Sequence, residues 1–151
     1  MKNQPDRGRH ALPRLPCACA VFRRASRAMT RAYERRLRGS GLNIAQFTLL
    51  QALAHAGPIT QGRLGRLLAL DSTTLSRTLR PLEASRWLRS ESGADRRERR
   101  LELTAAGKSQ LERAIPAWQR AQKDLKARLG EKRWESLLTE LSMLAGVVGD
   151  V

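Results

Sequence analysis

The chain has 151 residues, which is long enough for one domain with a buried core. Its 29 Lys and Arg outnumber 14 Asp and Glu, so the formal net charge is +15 and the pI is near 11.5. That balance favours a polyanionic partner, with nucleic acid ahead of a membrane surface. No apolar run approaches the roughly 18 residues of a membrane span, and no signal peptide is recognisable. We therefore expect a cytoplasmic protein with no membrane partner.

The N-terminal part is predicted to be a disordered basic tail over residues 1–16, followed by a helix over residues 17–38 that contains no Gly or Pro. One apolar stripe runs along this helix, and arginines cover the other faces. The stripe is Phe22, Ala25, Met29, Ala32 or Tyr33, and Leu37. A single stripe on so long a helix needs a partner surface, either the C-terminal helices or a second subunit.

A second helix is predicted between the break at residues 39–41 and the stop at Gly57-Pro58. Asn43 with Gln46 three residues later is a capping-box pattern, which marks the start of a helix. Its buried face is Ile44, Phe47, Leu50 and Leu53. Ile59 follows and adds one short bridge to a small sheet.

Residues 60–104 predict a winged helix-turn-helix. Thr60 can cap a short helix with three leucines on one side, and Asp71 can cap a second helix with its own apolar stripe. The first set is Leu64, Leu67 and Leu68, and the second is Leu75, Leu79 and Leu82. The opposite face of the second helix carries hydroxyls and guanidinia, which hydrogen-bond phosphates and base edges. These side chains are Ser72, Thr73, Ser76, Arg77 and Arg80.

The wing is predicted as two short strands, residues 87–90 and 99–103, joined by a loop with a glycine and a basic tip. A polar helix face beside a basic hairpin is a more specific indication of nucleic-acid binding than either feature alone.

Two further helices complete the chain. Thr104 caps a long one that ends at Gly130 and should kink near Pro116, as Pro81 should bend the end of the recognition helix. The last helix, residues 131–148, carries more apolar surface than a terminal helix needs. Together with the first helix it indicates self-association, so we expect a mainly α fold with a small β-wing, in which dimerisation helices (17–38 and 105–151) flank the winged helix-turn-helix.

The order and spacing of several phrases resemble the MarR family of winged helix-turn-helix regulators over residues 17–151. The matching phrases are Gly41-Leu42 with Gln46-Phe47, Leu67 to Leu70 leading into Asp71-Ser72-Thr73-Thr74, Leu82-Glu83, Asp95-Arg96-Arg97, and Leu103-Thr104 with Gly107. No cofactor or metal is implied.

The resemblance implies a homodimer that binds double-stranded DNA at a pseudo-palindromic operator, with half-sites about 10 bp apart. It places Ser72, Thr73, Thr74, Ser76 and Arg77 on the leading half of the recognition helix, with Arg80 beyond them. It makes Arg97 the wing-tip arginine held by Asp95, whereas Arg96, Arg99 and Arg100 become phosphate contacts or solvated charges. It also implies a repressor released by a small aromatic ligand, bound between the dimer layer and the winged domain among the first, second and fifth helices, where Arg23 or Arg27 could meet a carboxylate.

One branch of the family senses organic hydroperoxides through a cysteine near the start of the first helix and a tyrosine of the other subunit. Cys19 and Tyr33 have that branch's spacing, although its second tyrosine would fall at Ile44. Redox sensing through Cys19, with Cys17 as a second thiol, therefore stands beside the interpretation that both cysteines are small apolar residues at a dimer seam.

Two other classes of protein are alternatives to a sequence-specific regulator. An enzyme is disfavoured because the sequence has no Ser/His/Asp grouping, no phosphate-binding glycine loop and no metal-ligand spacing. A non-specific nucleic-acid-binding or architectural protein would use the same charge but would show little sequence preference.

Overall fold

The computed structural model describes residues 12–13, 15–92 and 98–149. Six helices and three short strands occur in these ranges. In chain order they are α1 (Ala18–Leu37), α2 (Ile44–Ala56), β1 (Ile59–Thr60), α3 (Gln61–Leu68), α4 (Ser72–Ala84), β2 (Leu88–Ser92), β3 (Arg99–Leu103), α5 (Ala105–Leu129) and α6 (Glu131–Gly149). Most of the predicted basic tail and the tip of the wing, residues 93–97, lie outside the described residues.

Four helices begin at the polar caps predicted from the sequence. The capping box is present in full: the Asn43 side chain accepts from the Gln46 amide at 2.8 Å, and the Gln46 side chain accepts from the Asn43 amide at 3.0 Å. Thr60, Asp71 and Thr104 each accept a backbone N–H three residues on. Because an N-cap satisfies a donor that the helix itself leaves unpaired, these local pairs fix the starts of α2 to α5.

A single apolar core joins α2, the helix-turn-helix and the front half of α5. Phe47 is fully buried and its ring stacks on Trp118, with centroids 5.6 Å apart. The buried leucines around them include Leu37, Leu50, Leu53, Leu64, Leu75, Leu79 and Leu82. This core packs the helix-turn-helix against α5, the long helix that follows the wing.

Leu64, Leu67 and Leu68 were predicted on one side of α3, but the Leu67 side chain is 59% exposed. The buried direction of α3 lies between Leu64 and Gly65, which are both buried. At 100° per residue that direction includes Leu68 and leaves Leu67 outside it. The three leucines therefore lie within one 100° arc, but the core covers only part of that arc.

The sheet is antiparallel in the order β1-β3-β2. Ile59 pairs with Leu101, as the predicted short bridge required. Strand β2 starts one residue later than predicted and runs on to Ser92, which pairs with Arg99. The hairpin therefore keeps its ladder up to the edge of the wing tip.

The start of α5 closes tightly on the turn between α4 and β2. The Thr104 hydroxyl donates to the Arg86 carbonyl at 2.7 Å, and the Thr104 amide donates to the Trp87 carbonyl at 3.1 Å. A Cβ added at Gly107 would lie 1.9 Å from the Trp87 carbonyl oxygen. Only glycine permits this approach, which locks the wing to the long helix.

The outer helices leave apolar surface uncovered within one chain. Of α1 only Leu37 is buried, and Phe22 is 43% exposed. On α6 Trp134 is the buried large side chain. Helices α4 and α5 continue past Pro81 and Pro116, so the bends expected there stay predictions. None of the described helices is both long and apolar enough to cross a membrane.

Candidate nucleic-acid interface

From Ser72 to Arg80 the outward face of α4 is polar and exposed. Leu75, Leu79 and Leu82 point into the core, so the opposite side of the helix faces solvent. The exposed set is Ser72, Thr73, Thr74, Ser76, Arg77 and Arg80. Six side chains predicted to meet DNA are therefore on one accessible surface.

The Thr74 hydroxyl is already engaged at the helix cap. It donates to Asp71 Oδ2 at 2.6 Å, while the Thr74 amide donates to Asp71 Oδ1 at 2.8 Å. These bonds, the hydroxyl first, hold the pKa of the Asp71 carboxyl below its usual value. The Thr74 hydroxyl can still accept from a base amino group, but it cannot donate to a phosphate without losing its bond to Asp71 Oδ2.

Ser76 is oriented from the neighbouring helix. Gln61, the first residue of α3, donates from Nε2 to Ser76 Oγ at 3.0 Å. Because that oxygen acts as the acceptor, the hydroxyl hydrogen remains free to donate to a phosphate oxygen. The helix-turn-helix thus presents the Ser76 hydroxyl as a hydrogen-bond donor for a phosphate, next to the exposed guanidinium groups of Arg77 and Arg80.

At the wing, Asp95, Arg96 and Arg97 lie outside the described residues, and their predicted roles stay predictions. The strands that support them carry paired charges. Arg89 donates to Glu102 across the hairpin at 3.0 and 2.5 Å, which raises the pKa of the arginine.

Arg99 has partners that the sequence did not predict. Its guanidinium contacts Glu83 of α4 at 2.5 Å and Ser90 of β2 at 2.7 Å. It is therefore neither a purely solvated charge nor a free phosphate ligand, the two roles expected for it. No local pattern links residues 83 and 99, because the contact depends on how the hairpin folds back on α4. Arg100 is exposed.

Both cysteines are accessible at the start of α1. Cys17 is the N-cap residue with extended backbone (φ −97°, ψ 120°), and Cys19 is the second residue of the helix. Because Cys17 precedes the first residue of α1, only Cys19 lies within the helix. Tyr33 is half-buried, and this burial raises the pKa of its phenol. Fourteen residues of helix separate Cys19 and Tyr33 by about 21 Å, so any pairing would need a second subunit.

A cavity of about 1240 Å³ opens between the helix-turn-helix and the C-terminal part of α6. Its lining includes Arg63, Arg66, Leu67 and Leu70 on one side and Ala145 on the other. The resemblance implied instead a pocket among α1, α2 and α5. Within the described part of the chain, no group of three or more His, Cys, Asp or Glu could hold a metal ion.

Comparison with known proteins agrees with this architecture. A sequence model of the MarR family matches residues 40–98, from the α1–α2 turn to the wing. The crystal structure of the M. tuberculosis transcriptional regulator MosR in complex with DNA is 34% identical, with a TM-score of 0.79, over 87% of this chain and 96% of that one. The chain belongs to the MarR family. It is a winged helix transcriptional regulator and not an enzyme.

Other MarR-like relatives extend the comparison. A probable transcriptional regulator from Pseudomonas aeruginosa is 25% identical, with a TM-score of 0.76, over 85% of this chain and 97% of that one. The uncharacterised HTH-type transcriptional regulator YwoH of Bacillus subtilis is 28% identical over 88 residues, which are 58% of this chain and 64% of YwoH.

Proposed function

We propose that this MarR-family protein is a homodimeric repressor that binds a pseudo-palindromic operator through α4. The observation that carries the proposal is the exposed face of α4, where hydroxyl and guanidinium side chains are neighbours on a helix capped by Asp71. MosR, the 34% identical relative, was crystallised with DNA. A twofold dimer with one such helix per subunit favours half-sites about 10 bp apart.

The recognition role separates Arg77 from the general charge of the protein. Arg77→Ala should reduce the preference for the operator over random DNA, because a base contact is worth about 1–3 kcal/mol of discrimination. Arg120→Ala is the matched control, since it removes the same charge from an exposed position on α5. Binding titrations of each variant on operator DNA and on random DNA distinguish a base contact from a phosphate contact. An equal loss on both DNAs would make Arg77 a phosphate contact.

The wing role rests on Arg97. Arg97→Ala should weaken operator binding while leaving the protein folded and dimeric, because it removes a charge that the family resemblance places at the adjacent minor groove. Gel shifts with circular dichroism on the same samples measure both properties. Unchanged operator affinity would contradict the wing assignment.

The dimer is supported by the apolar face of α6. Leu137, Leu138, Leu141 and Leu144 lie on one side of α6 and are each between 37 and 41% exposed. Burying these side chains against a second subunit contributes on the order of 1 kcal/mol per side chain to the free energy of dimerisation. An uncovered row of this kind would favour aggregation.

A matched pair of variants tests the dimer. Leu141→Asp should yield monomers in light scattering behind size exclusion, because it introduces a charge into the row. Ser136→Asp adds the same charge at an exposed α6 position outside the row and should leave the dimer intact. Dimers in both variants would contradict the α6 interface.

The proposed effector is a small aromatic acid. The cavity beside α3 combines apolar walls at Leu67 and Leu70 with the exposed cations Arg63 and Arg66, a combination that suits an aromatic ring with a carboxylate. Its position next to the recognition helix would let a ligand alter DNA binding. A panel of benzoates should release operator DNA in fluorescence anisotropy, and less so from Arg63→Gln. Release that is identical in that variant would place the ligand elsewhere.

A hydroperoxide-sensing repressor is the second candidate, favoured by the accessibility of Cys17 and Cys19. A thiolate would attack the peroxide O–O bond, giving a sulfenic acid and an alcohol, and a second thiol would displace water to form a disulfide. Cys19→Ser should then bind DNA but resist release by cumene hydroperoxide. Non-reducing gels distinguish a disulfide between subunits from one within a chain. Release of the variant by peroxide would exclude Cys19 as the switch.

A further inference from the structure

One ion pair connects the recognition helix to the root of the wing. Glu83 is in the last turns of α4, and Arg99 is the first residue of β3, paired in register with Ser92, the last residue of β2. Arg99 Nη2 contacts Glu83 Oε1 at 2.5 Å and Ser90 Oγ at 2.7 Å. The guanidinium thus touches the helix and the opposite strand at the point where the ladder ends.

Glu83 is more buried than its partner Arg99. It follows the fully buried Leu82, and its side chain is 29% exposed, against 48% for Arg99. The Arg99 guanidinium therefore meets a carboxylate at the edge of the core. A carboxylate at this position would repel DNA phosphates, so Glu83 is not suited to contact DNA itself.

We propose that Glu83 and Arg99 are positioning residues that set the angle between the wing hairpin and α4, and so the DNA affinity, without contacting DNA. The proposal rests on the DNA-binding function proposed above. Helix and wing must reach the same duplex together. A wing held at the correct angle before binding loses less conformational freedom in the complex.

We call the Glu83–Arg99 pair, acting as a positioning pair, the strut. A strut and a phosphate contact by Arg99 predict opposite effects of Glu83→Gln on DNA affinity. If Arg99 contacts phosphate, Glu83→Gln removes a repulsive charge and frees the arginine, so binding should tighten. If the pair is a strut, Glu83→Gln should weaken binding about as much as Arg99→Gln does. An exposed ion pair of ordinary strength corresponds to about threefold per subunit, hence roughly tenfold for a dimer on two half-sites.

The experiment measures operator affinity against salt concentration for wild type, Glu83→Gln, Arg99→Gln and the double variant. We expect both single variants to lose roughly tenfold, the double variant to lose no more than either, and all slopes of log K against log salt to match wild type. Loss of a phosphate contact would instead lower the Arg99→Gln slope by about 0.9 for each contact. Thermal midpoints of the same proteins should lie within about 3 °C of wild type, the shift expected for one exposed ion pair, and a larger fall would mean general destabilisation instead of positioning.

Arg89→Gln with Glu102→Gln is the matched control, because that pair joins the same two strands without touching α4. It should change affinity less than twofold. Glu83→Gln binding as tightly as wild type or tighter, or a lower slope for Arg99→Gln, would overturn the strut. Wild-type protein that prefers no operator sequence would contradict the proposed function itself, which is a different result.

Discussion

Gly107→Ala should disconnect the wing from the long helix. The added Cβ would lie 1.9 Å from the Trp87 carbonyl oxygen and 2.8 Å from Leu103 Cδ1, whereas real Cβ atoms essentially never come closer than 3.0 Å. The obstacle is backbone, so no side-chain rotation relieves it. Helix α5 or the α4–β2 turn must move by about 1 Å or more.

That displacement breaks the joint made by Thr104. Its hydroxyl bond to the Arg86 carbonyl and its amide bond to the Trp87 carbonyl span 2.7 and 3.1 Å, with no slack for such a shift. Overpacking costs about 1–3 kcal/mol and each lost hydrogen bond about 0.5–1.5 kcal/mol. We expect the free energy of unfolding to fall by about 3–5 kcal/mol.

Urea unfolding followed by far-UV circular dichroism, at one fixed protein concentration, measures this change. Gly62→Ala is the control, since Gly62 is an exposed glycine within α3 and its added Cβ would meet no atom within 4 Å. Alanine there should stabilise the protein by about 0.5–1 kcal/mol. A Gly107→Ala protein within about 1 kcal/mol of wild type would refute the packing argument.

Three further predictions concern single groups. Gln110→Leu removes the buried amide that donates to the Ser40 carbonyl at 2.6 Å, so urea unfolding should show a loss of about 1–3 kcal/mol, and no loss would mean that water satisfies the carbonyl. The Asp71 carboxyl has a lowered pKa in the folded state, so its contribution is present above its unfolded pKa and is lost as pH falls through the folded value. The stability of wild type relative to Asp71→Asn should therefore decrease in acid, and a pH-independent difference would refute the linkage. Arg86 has a positive φ of 56°, so Arg86→Gly should raise the melting midpoint slightly, and a lower midpoint would show that the side chain contributes more than the strain costs.

Local signals in the sequence were sufficient for the helix starts and the hairpin. Asn43, Thr60, Asp71 and Thr104 each act on a backbone N–H within three residues, so their roles can be read from neighbours alone. The alternation about Leu101 likewise predicts its pairing and burial. The side chains predicted for the outer face of α4 are exposed, and their contact with DNA stays a prediction.

Contacts between distant segments could not be predicted in this way. Leu67 has the same helical spacing as its buried neighbours, and only the placement of α3 on the core decides which of them is covered. Glu83 and Arg99 are 16 residues apart with no periodic relation, and they meet because the hairpin folds back on α4. Residues 17–38 contain no Gly or Pro, so the sequence predicts a helix from Cys17, yet Cys17 is the N-cap residue and the helix begins at Ala18.

The central claim is that α4 reads DNA sequence in a dimer. Selection from a random-sequence DNA pool, with wild type and Arg77→Ala in parallel under reducing conditions, tests it most directly. We expect wild type to enrich one pseudo-palindrome with half-sites about 10 bp apart, and Arg77→Ala to retain DNA binding but to enrich that sequence poorly. A wild-type pool that stays random while binding remains strong and salt-dependent would show that α4 does not read DNA sequence and would indicate a non-specific nucleic-acid-binding protein.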